Sequence, residues 1–266
     1  MGALDGIRVI DFGHYIAGPL AAVMLADQGA EVIHVDPPGA PAWQRPSDAF
    51  YSRGKRRITL DLKSAPDLEI AHRLIGSTDV VIENFRPGVM QRLGLGAQEM
   101  TARNPRLVYS SMPGFAPDDP RAGMQAWEGI VNAATHNCIP RAGEEPPGWD
   151  WSRPFHMAPP LASNFAAFLG ATGIVMALIA RERWGFGQAV EAPLFDAMFT
   201  LIGHSGATST IAVCTRRAAS TAAAPAPSAA PTASTSSSIP PAPATSTGSR
   251  TRQPSRTGVT SSTSTG

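Results

Sequence analysis

The segment IRVIDFGHYIAGPLAAVMLADQGAEVIHV, residues 7–35, decides the fold. It begins with a short run rich in β-formers, Ile7–Phe12, and continues with helical apolar spacing over Ala17–Gln28, which Gly29 ends. A second strand pattern follows at Glu31–Val35. A strand, a helix and a strand in this order predict a βαβ unit, whose two strands lie parallel in one sheet.

The same alternation continues downstream and predicts an α/β fold, with a mainly parallel sheet flanked by helices. Further strands are predicted at Arg57–Leu62, Asp79–Glu83 and Leu107–Ser111, and further helices at Asp67–Ile75, Val89–Leu93, Gln125–Asn137, Leu161–Arg183 and Ala192–Ser205.

One of these helices contains a charge-free run of 20 residues, Leu161–Ala180, which is long enough to cross a membrane. Its serine, asparagine, threonine and glycine residues make it only weakly hydrophobic, and no second span accompanies it. We therefore expect a buried core helix rather than a membrane span.

The charge balance disfavours polyanion partners. The chain of 266 residues carries 22 basic and 21 acidic side chains, but five of the basic ones are arginines after residue 207, so residues 1–207 have a net charge of −4. A mildly acidic body argues against nucleic acid and anionic membranes as partners. Two cysteines, Cys138 and Cys214, provide no disulfide framework, and the N-terminus has no signal-peptide pattern, so we expect a cytoplasmic protein.

The composition changes abruptly near Ala207, and residues 207–266 consist almost wholly of Ser, Thr, Ala, Pro, Gly and Arg. Such a segment buries too little apolar surface to offset the entropy of ordering its backbone, so we expect a disordered tail. It fits a linker or glycosylated stalk, or a segment without an evolved role. The body is rich in Arg and poor in Lys, which is typical of a GC-rich gene. Our hypothesis is therefore that the tail is the product of a frameshift in such a gene.

The expected ligand edge of the sheet offers few motifs of known chemistry. Residues 13–19 (GHYIAGP) follow the first strand and lack the G-x-G-x-x-G pattern, and Asp36 is better explained as a turn residue than as a ribose ligand. The six histidines show no metal-ligand spacing, and of these His14 has the best position, at a strand-to-helix turn. We expect no metal site.

Two loops fit a nucleotide with phosphates. Residues 53–57 (RGKRR) precede a strand, and residues 84–88 (NFRPG) directly follow one. Cations and an aromatic ring at the ends of parallel strands suit such a ligand. A solvated run of charges explains the first loop equally well.

Together these stretches resemble the family III CoA-transferases, the CaiB/BaiF family, which contains carnitine and formyl-CoA transferases and α-methylacyl-CoA racemases. The resemblance covers nearly all of residues 2–206, in order and at the family's spacing. Its motifs are LDGIRV at 4–9, AGP at 17–19, GAEVI at 29–33, RGKR at 53–56, LDLK at 60–63, DVVIENFRPG at 79–88, RLGL at 92–95, NPRL at 104–107 and GFGQ at 185–188.

The resemblance implies a Rossmann-like large domain, residues 1–206, that binds coenzyme A as a substrate. It places Ile16 and Ala17 at the adenine and pantetheine entry, Leu60 and Lys63 against the nucleotide, Asn84 and Phe85 beside it, and Arg92 at a phosphate. Leu60 and Phe85 also fit an ordinary core role.

The first of two departures from the family concerns catalysis. Family transferases form a mixed anhydride between the acyl group and an aspartate shortly before the long apolar helix, but that position here is Ser163. We expect Ser163 to be the N-cap of the helix rather than a nucleophile, since nothing nearby in the sequence supplies a base. Glu128 matches a site where family transferases carry an acid. Both proton-transfer groups of the racemases are missing, so racemisation is disfavoured.

The other departure is the end of the chain. Family members continue into a small domain and interlock as homodimers, and we expect that continuation to be absent after Ala207.

The activity that the resemblance implies is the transfer of CoA between an acyl-CoA and a carboxylic acid. A catalytically inactive CoA-binding remnant or subunit is the alternative.

Overall fold

The structure is a computed structural model, and it describes residues 2–39, 46–138, 147–148, 150, 153–154 and 158–203. All of these described residues belong to one compact unit. The predicted tail falls outside the described residues, as do the last two residues of the helix predicted at Ala192–Ser205.

Strands and helices alternate along the chain, as the sequence predicts. The strands are β1 (Arg8–Asp11), β2 (Glu31–Asp36), β3 (Lys55–Thr59), β4 (Val80–Glu83), β5 (Val108–Ser111) and β6 (Ala189–Glu191). The helices are α1 (Ala17–Ala26), α2 (Pro46–Ser52), α3 (Ala65–Gly76), α4 (Val89–Arg92), α5 (Ala97–Arg103), α6 (Glu128–Ala134), α7 (Leu161–Trp184) and α8 (Leu194–Gly203).

Within the described residues these strands form one sheet in the order β3-β2-β1-β4-β5-β6, and every neighbouring pair is parallel. The strand order reverses between β1 and β4, and such a reversal marks the region of the carboxyl edge where open parallel sheets bind ligands. The α/β, Rossmann-like fold expected from the sequence is confirmed.

Apolar side chains point alternately to the two faces of the sheet and create a core on each. On one face Val9, Val80 and Val108 pack with α1 and α7, and on the other Ile10 and Val81 pack with α3, α4 and α5. Both faces are therefore covered in the middle of the sheet, which explains why the central strand β4 is buried along its whole length.

The long apolar helix α7 lies in the first of these cores. It packs along α1 and β5, and ten of its residues are buried, whereas Phe168, Met176 and Ile179 are exposed. Gly185, in the left-handed conformation at φ 83°, ends it. Among the described residues α7 is one helix long and apolar enough to cross a membrane, and half of its most apolar stretch is buried in the protein. This packing is that of the core helix expected from the sequence.

Candidate functional site

A cleft opens at the carboxyl edge of β1, β2 and β3. Its space amounts to about 570 Å³, part of which is open solvent. The loop after β1, the end of β2 and helix α2 supply its lining, namely Gly13, His14, Tyr15, Pro19, His34, Asp36, Pro37, Asp48, Tyr51, Ser52 and Arg57. This is the edge at which open parallel sheets bind ligands.

The glycines after β1 serve close packing of the chain. The Cα of Gly18 would lie 2.7 Å from a Cβ added at Gly13, and a Cβ at Gly18 would be equally close to the Cα of Gly13. The turn from β1 into α1 therefore requires two residues without side chains. Tyr15, at φ 66°, completes this turn in the left-handed region and is exposed in the cleft.

Asn84, directly after β4, connects the loop after β4 to the loop after β1. Its Oδ1 accepts the N–H of His14 and its Nδ2 donates to the carbonyl of His14, both at 2.7 Å. The ring of Phe85 meets the His14 ring edge-on, with the centroids 4.9 Å apart. Burial lowers the pKa of His14, so its ring is uncharged at neutral pH.

A buried ion pair lies beneath this turn. Lys55 Nζ donates to Asp11 Oδ2 and to the carbonyl of Pro19, both at 2.8 Å, and the two charged side chains are 1% and 0% exposed. His34 Nδ1 lies 2.8 Å from the same carboxylate oxygen. Burial raises the pKa of Asp11, but Lys55 and His34 outweigh that effect and lower it to about 2.

The basic loop predicted to face phosphates is engaged with carboxylates instead. Besides Lys55, Arg53 pairs with Asp27, Arg56 with Glu31 and Arg57 with Asp36. Among these residues Arg57 lines the cleft, where its Nε and Nη2 each donate to Asp36 at 2.7 Å. Asp36 thus contributes to the cleft rather than acting only as a turn residue.

None of the residues that the resemblance assigns to coenzyme A is among those that line the cleft. Ile16 is the half-buried N-cap of α1, and Ala17 is buried behind it. Leu60 is buried and Phe85 half-buried, and both pack in the second core. Lys63 and Arg92 are exposed on the loop after β3 and at the end of α4.

The two candidate catalytic residues, 35 positions apart, are in direct contact. Glu128, the first residue of α6, points its carboxylate at the start of α7. Its Oε1 accepts the N–H of Ala162 at 2.8 Å, and its Oε2 accepts the N–H of Ser163 at 3.0 Å and the Ser163 hydroxyl at 2.8 Å. The sequence around Ser163 supplies no base, but the structure brings the carboxylate of Glu128 from 35 positions away to its hydroxyl.

Ser163 is also not the N-cap of α7, which corrects the expectation from the sequence. The cap position is Pro160, which makes no side-chain cap, and Ser163 is the third residue of the helix and buried. The carboxylate of Glu128 satisfies the free N–H groups of the first turn instead, as a cap from another helix. Local sequence patterns do not reveal such a contact.

A further acidic residue at this edge was not singled out in the sequence. Glu83 ends β4, is 7% exposed and accepts the N–H of Phe85 at 2.8 Å. Burial and the charge of Glu191 raise its pKa to about 8, although the Phe85 N–H acts in the opposite direction. Within the described residues no group of three or more His, Cys, Asp or Glu side chains is arranged to hold a metal ion.

Comparisons with known proteins point to one family. The sequence matches the model of CoA-transferase family III over residues 4–234, which extends past the domain end expected at 206. It is 42% identical over 203 residues to the CoA-transferase/lyase DddD of Marinomonas sp., covering 76% of this chain and 24% of that protein. It is 35% identical over 220 residues to the succinyl-CoA:mesaconate CoA-transferase of Haloarcula hispanica, covering 76% and 54%.

Solved structures agree with these relatives. Rv3272 of M. tuberculosis superposes with a TM-score of 0.68 at 31% identity, over 77% of this chain and 58% of that one. A CaiB/BaiF family protein of Brucella suis gives a TM-score of 0.65 at 30% identity, over 76% and 56%. The chain spans about half the length of most of these relatives and about a quarter of DddD. The match over residues 4–234 and the shared fold establish that this chain belongs to CoA-transferase family III.

Proposed function

We propose that the chain binds coenzyme A at the carboxyl edge of its sheet and moves CoA between an acyl-CoA and a carboxylic acid. The observation that carries the proposal is the cleft at the carboxyl edge of β1, β2 and β3, next to the point where the strand order reverses between β1 and β4. Relatives named for succinyl-CoA:mesaconate and acetyl-CoA:oxalate transfer support this reaction class.

In this proposal the nucleotide enters beside the turn after β1. The cleft offers an exposed aromatic ring, Tyr15, and a guanidinium, Arg57, which suit a base and a phosphate. Arg57 binds a phosphate by replacing one of its two hydrogen bonds to Asp36 with a hydrogen bond to the phosphate. The residues proposed to contact CoA are Ile16, Ala17, Leu60, Lys63, Asn84, Phe85 and Arg92, with Ser163 and Glu128 as the catalytic pair.

The proposal includes a cytoplasmic location and assembly with a second copy of the chain, in keeping with the family. An inactive CoA-binding subunit is the second candidate, and one observation favours it. Position 163 carries a hydroxyl where family transferases carry the acyl-bearing carboxylate.

A transfer assay separates the two candidates. The full chain is incubated with succinyl-CoA or acetyl-CoA and with mesaconate or oxalate, and new thioesters are detected by mass spectrometry. The transferase proposal expects a new acyl-CoA at a rate that Asn84→Ala lowers and that Arg53→Ala, a substitution outside the cleft lining, leaves unchanged. CoA binding without any transfer supports the inactive subunit, and the absence of CoA binding refutes both candidates.

A further inference from the structure

The contact between Glu128 and Ser163 brings a carboxylate to the position where the acyl group is handled. The Glu128 carboxylate lies against the backbone N–H and the hydroxyl of Ser163, the residue at the family's aspartate position. It comes from α6, whereas Ser163 belongs to α7. A carboxylate is therefore present at this point although the sequence has none at position 163.

The contact between Glu128 and Ser163 lies at the same edge of the sheet as the cleft, the carboxyl edge. Helix α7 connects β5 to the parallel strand β6, so it starts at the carboxyl edge. Gly170 packs against Met112, which directly follows β5, and Ser163 precedes Gly170 by two turns, or about 10 Å along the helix.

The chemistry of CoA exchange distinguishes a carboxylate from a hydroxyl as carrier. An acyl group on a serine is an ordinary ester, which is more stable than the thioester and does not readily return its acyl group to a thiolate. An acyl group on a carboxylate is an anhydride, which a thiolate or a second carboxylate attacks readily. Of the side chains of Ser163 and Glu128, that of Glu128 forms such a reactive anhydride.

Resting on the proposed function, we propose that Glu128 is the nucleophile that carries the acyl group and that Ser163 is a positioning residue. Oε1 has one hydrogen bond, from Ala162 N–H, and so keeps a lone pair free to attack. Oε2 has two donors, the Ser163 N–H and hydroxyl, and remains the carbonyl oxygen. These donors stabilise the negative charge that develops on Oε2 when a thiolate attacks the Glu128 carboxyl carbon.

The bonds balance without an added reactant. Oε1 forms a C–O bond to the thioester carbonyl carbon, the C–S bond breaks, and CoA leaves as thiolate with the electron pair. The thiolate then attacks the Glu128 carboxyl carbon, and the first acid leaves as carboxylate. The acceptor carboxylate attacks the carbonyl carbon of the Glu128 thioester and expels CoA as thiolate, which forms a second anhydride. The thiolate then attacks the acyl carbon of the acceptor, which gives the new acyl-CoA and releases the Glu128 carboxylate.

Trapping on the unaltered full chain tests this assignment. The protein is incubated with succinyl-CoA, treated with hydroxylamine, digested and mapped by mass spectrometry, and CoA binding is measured by calorimetry on the same preparation. We expect a hydroxamate on Glu128, because hydroxylamine attacks the activated glutamyl carbonyl. A succinyl ester on Ser163, or CoA binding with Glu128 unmodified, overturns the inference and leaves the binding proposal intact. The absence of CoA binding overturns both.

Variants separate the two roles. Glu128→Gln keeps the size of the side chain and is expected to abolish the hydroxamate. Ser163→Ala keeps the backbone N–H and removes one donor, so kcat is expected to fall about 100-fold with KM for acyl-CoA unchanged and the label still on Glu128. A rise in KM without loss of kcat, or loss of the label in Ser163→Ala, contradicts the positioning role.

Discussion

Replacing Lys55 by methionine tests the buried ion pair on which the turn after β1 rests. The substitution removes the cation but keeps most of the side-chain volume, and it leaves the fully buried Asp11 carboxylate without its ammonium partner. Removing one member of a buried pair costs about 3–5 kcal/mol. The pKa of Asp11, lowered to about 2 from 3.8, independently corresponds to about 2 kcal/mol of stabilisation at neutral pH.

We therefore expect Lys55→Met to lower the free energy of unfolding by about 3 kcal/mol at pH 7. For a domain of this size the midpoint of thermal unfolding then falls by roughly 6–12 °C. Urea unfolding followed by far-UV circular dichroism measures the first quantity, and calorimetry the second. Arg53→Met is the matched control, because its pair with Asp27 is exposed and contributes at most about 1 kcal/mol.

The pH dependence provides a second signature. The lowered pKa of Asp11 gives stability that is present above its unfolded value near 4 and is lost as pH falls through about 2. In Lys55→Met the lowering effect of Lys55 is lost, while burial still raises the pKa of Asp11 and His34 still lowers it, so this pKa is higher than in the unaltered protein and the variant gains stability relative to it as pH falls from 7 towards 4. The difference in the free energy of unfolding between the unaltered protein and Lys55→Met should therefore narrow as pH falls from 7 towards 4. Equal losses in Lys55→Met and Arg53→Met at pH 7 would refute the reasoning.

Three other predictions concern the carboxyl edge. Gly13→Ala places a methyl group 2.7 Å from the Cα of Gly18 and should lower stability by about 1–3 kcal/mol in urea, whereas Gly129→Ala, with open space around it, should not. Asn84→Ala removes two hydrogen bonds and should lower stability by about 1–3 kcal/mol and weaken CoA binding in calorimetry; unchanged values would contradict its bridging role. Glu83, with a pKa of about 8, holds a proton that the unfolded chain releases, so stability should fall as pH rises from about 5 to 8. Glu83→Gln should flatten this profile, and identical profiles would contradict the burial argument.

The fold was accessible from the sequence because its strands and helices have clear periods. The predicted strand at Ile7–Phe12 became β1 (Arg8–Asp11), and the helix at Leu161–Arg183 became α7 (Leu161–Trp184). Helices α2 and α5 do not stand out in the sequence because they are only seven residues long. The three-residue strand β6 was missed because its position depends on pairing with β5 rather than on its own pattern.

The site was less accessible, because its contacts join residues far apart in the chain. Lys55 reads as part of a solvated basic run, and only the sheet shows that it extends under the turn to Asp11, 44 residues away. The charged Asp11 inside an apolar strand was the local signal for a buried partner. Ser163 fits the sequence rules for an N-cap, and a carboxylate from a separate helix takes that role instead.

Calorimetric titration of the full chain with coenzyme A, with NAD as the comparison ligand, tests the central claim most directly. The glycines after β1 pack the turn against α1 and do not form the dinucleotide pattern, so we expect saturable binding of one CoA per chain and no binding of NAD. Binding of NAD with no heat from CoA would contradict the account.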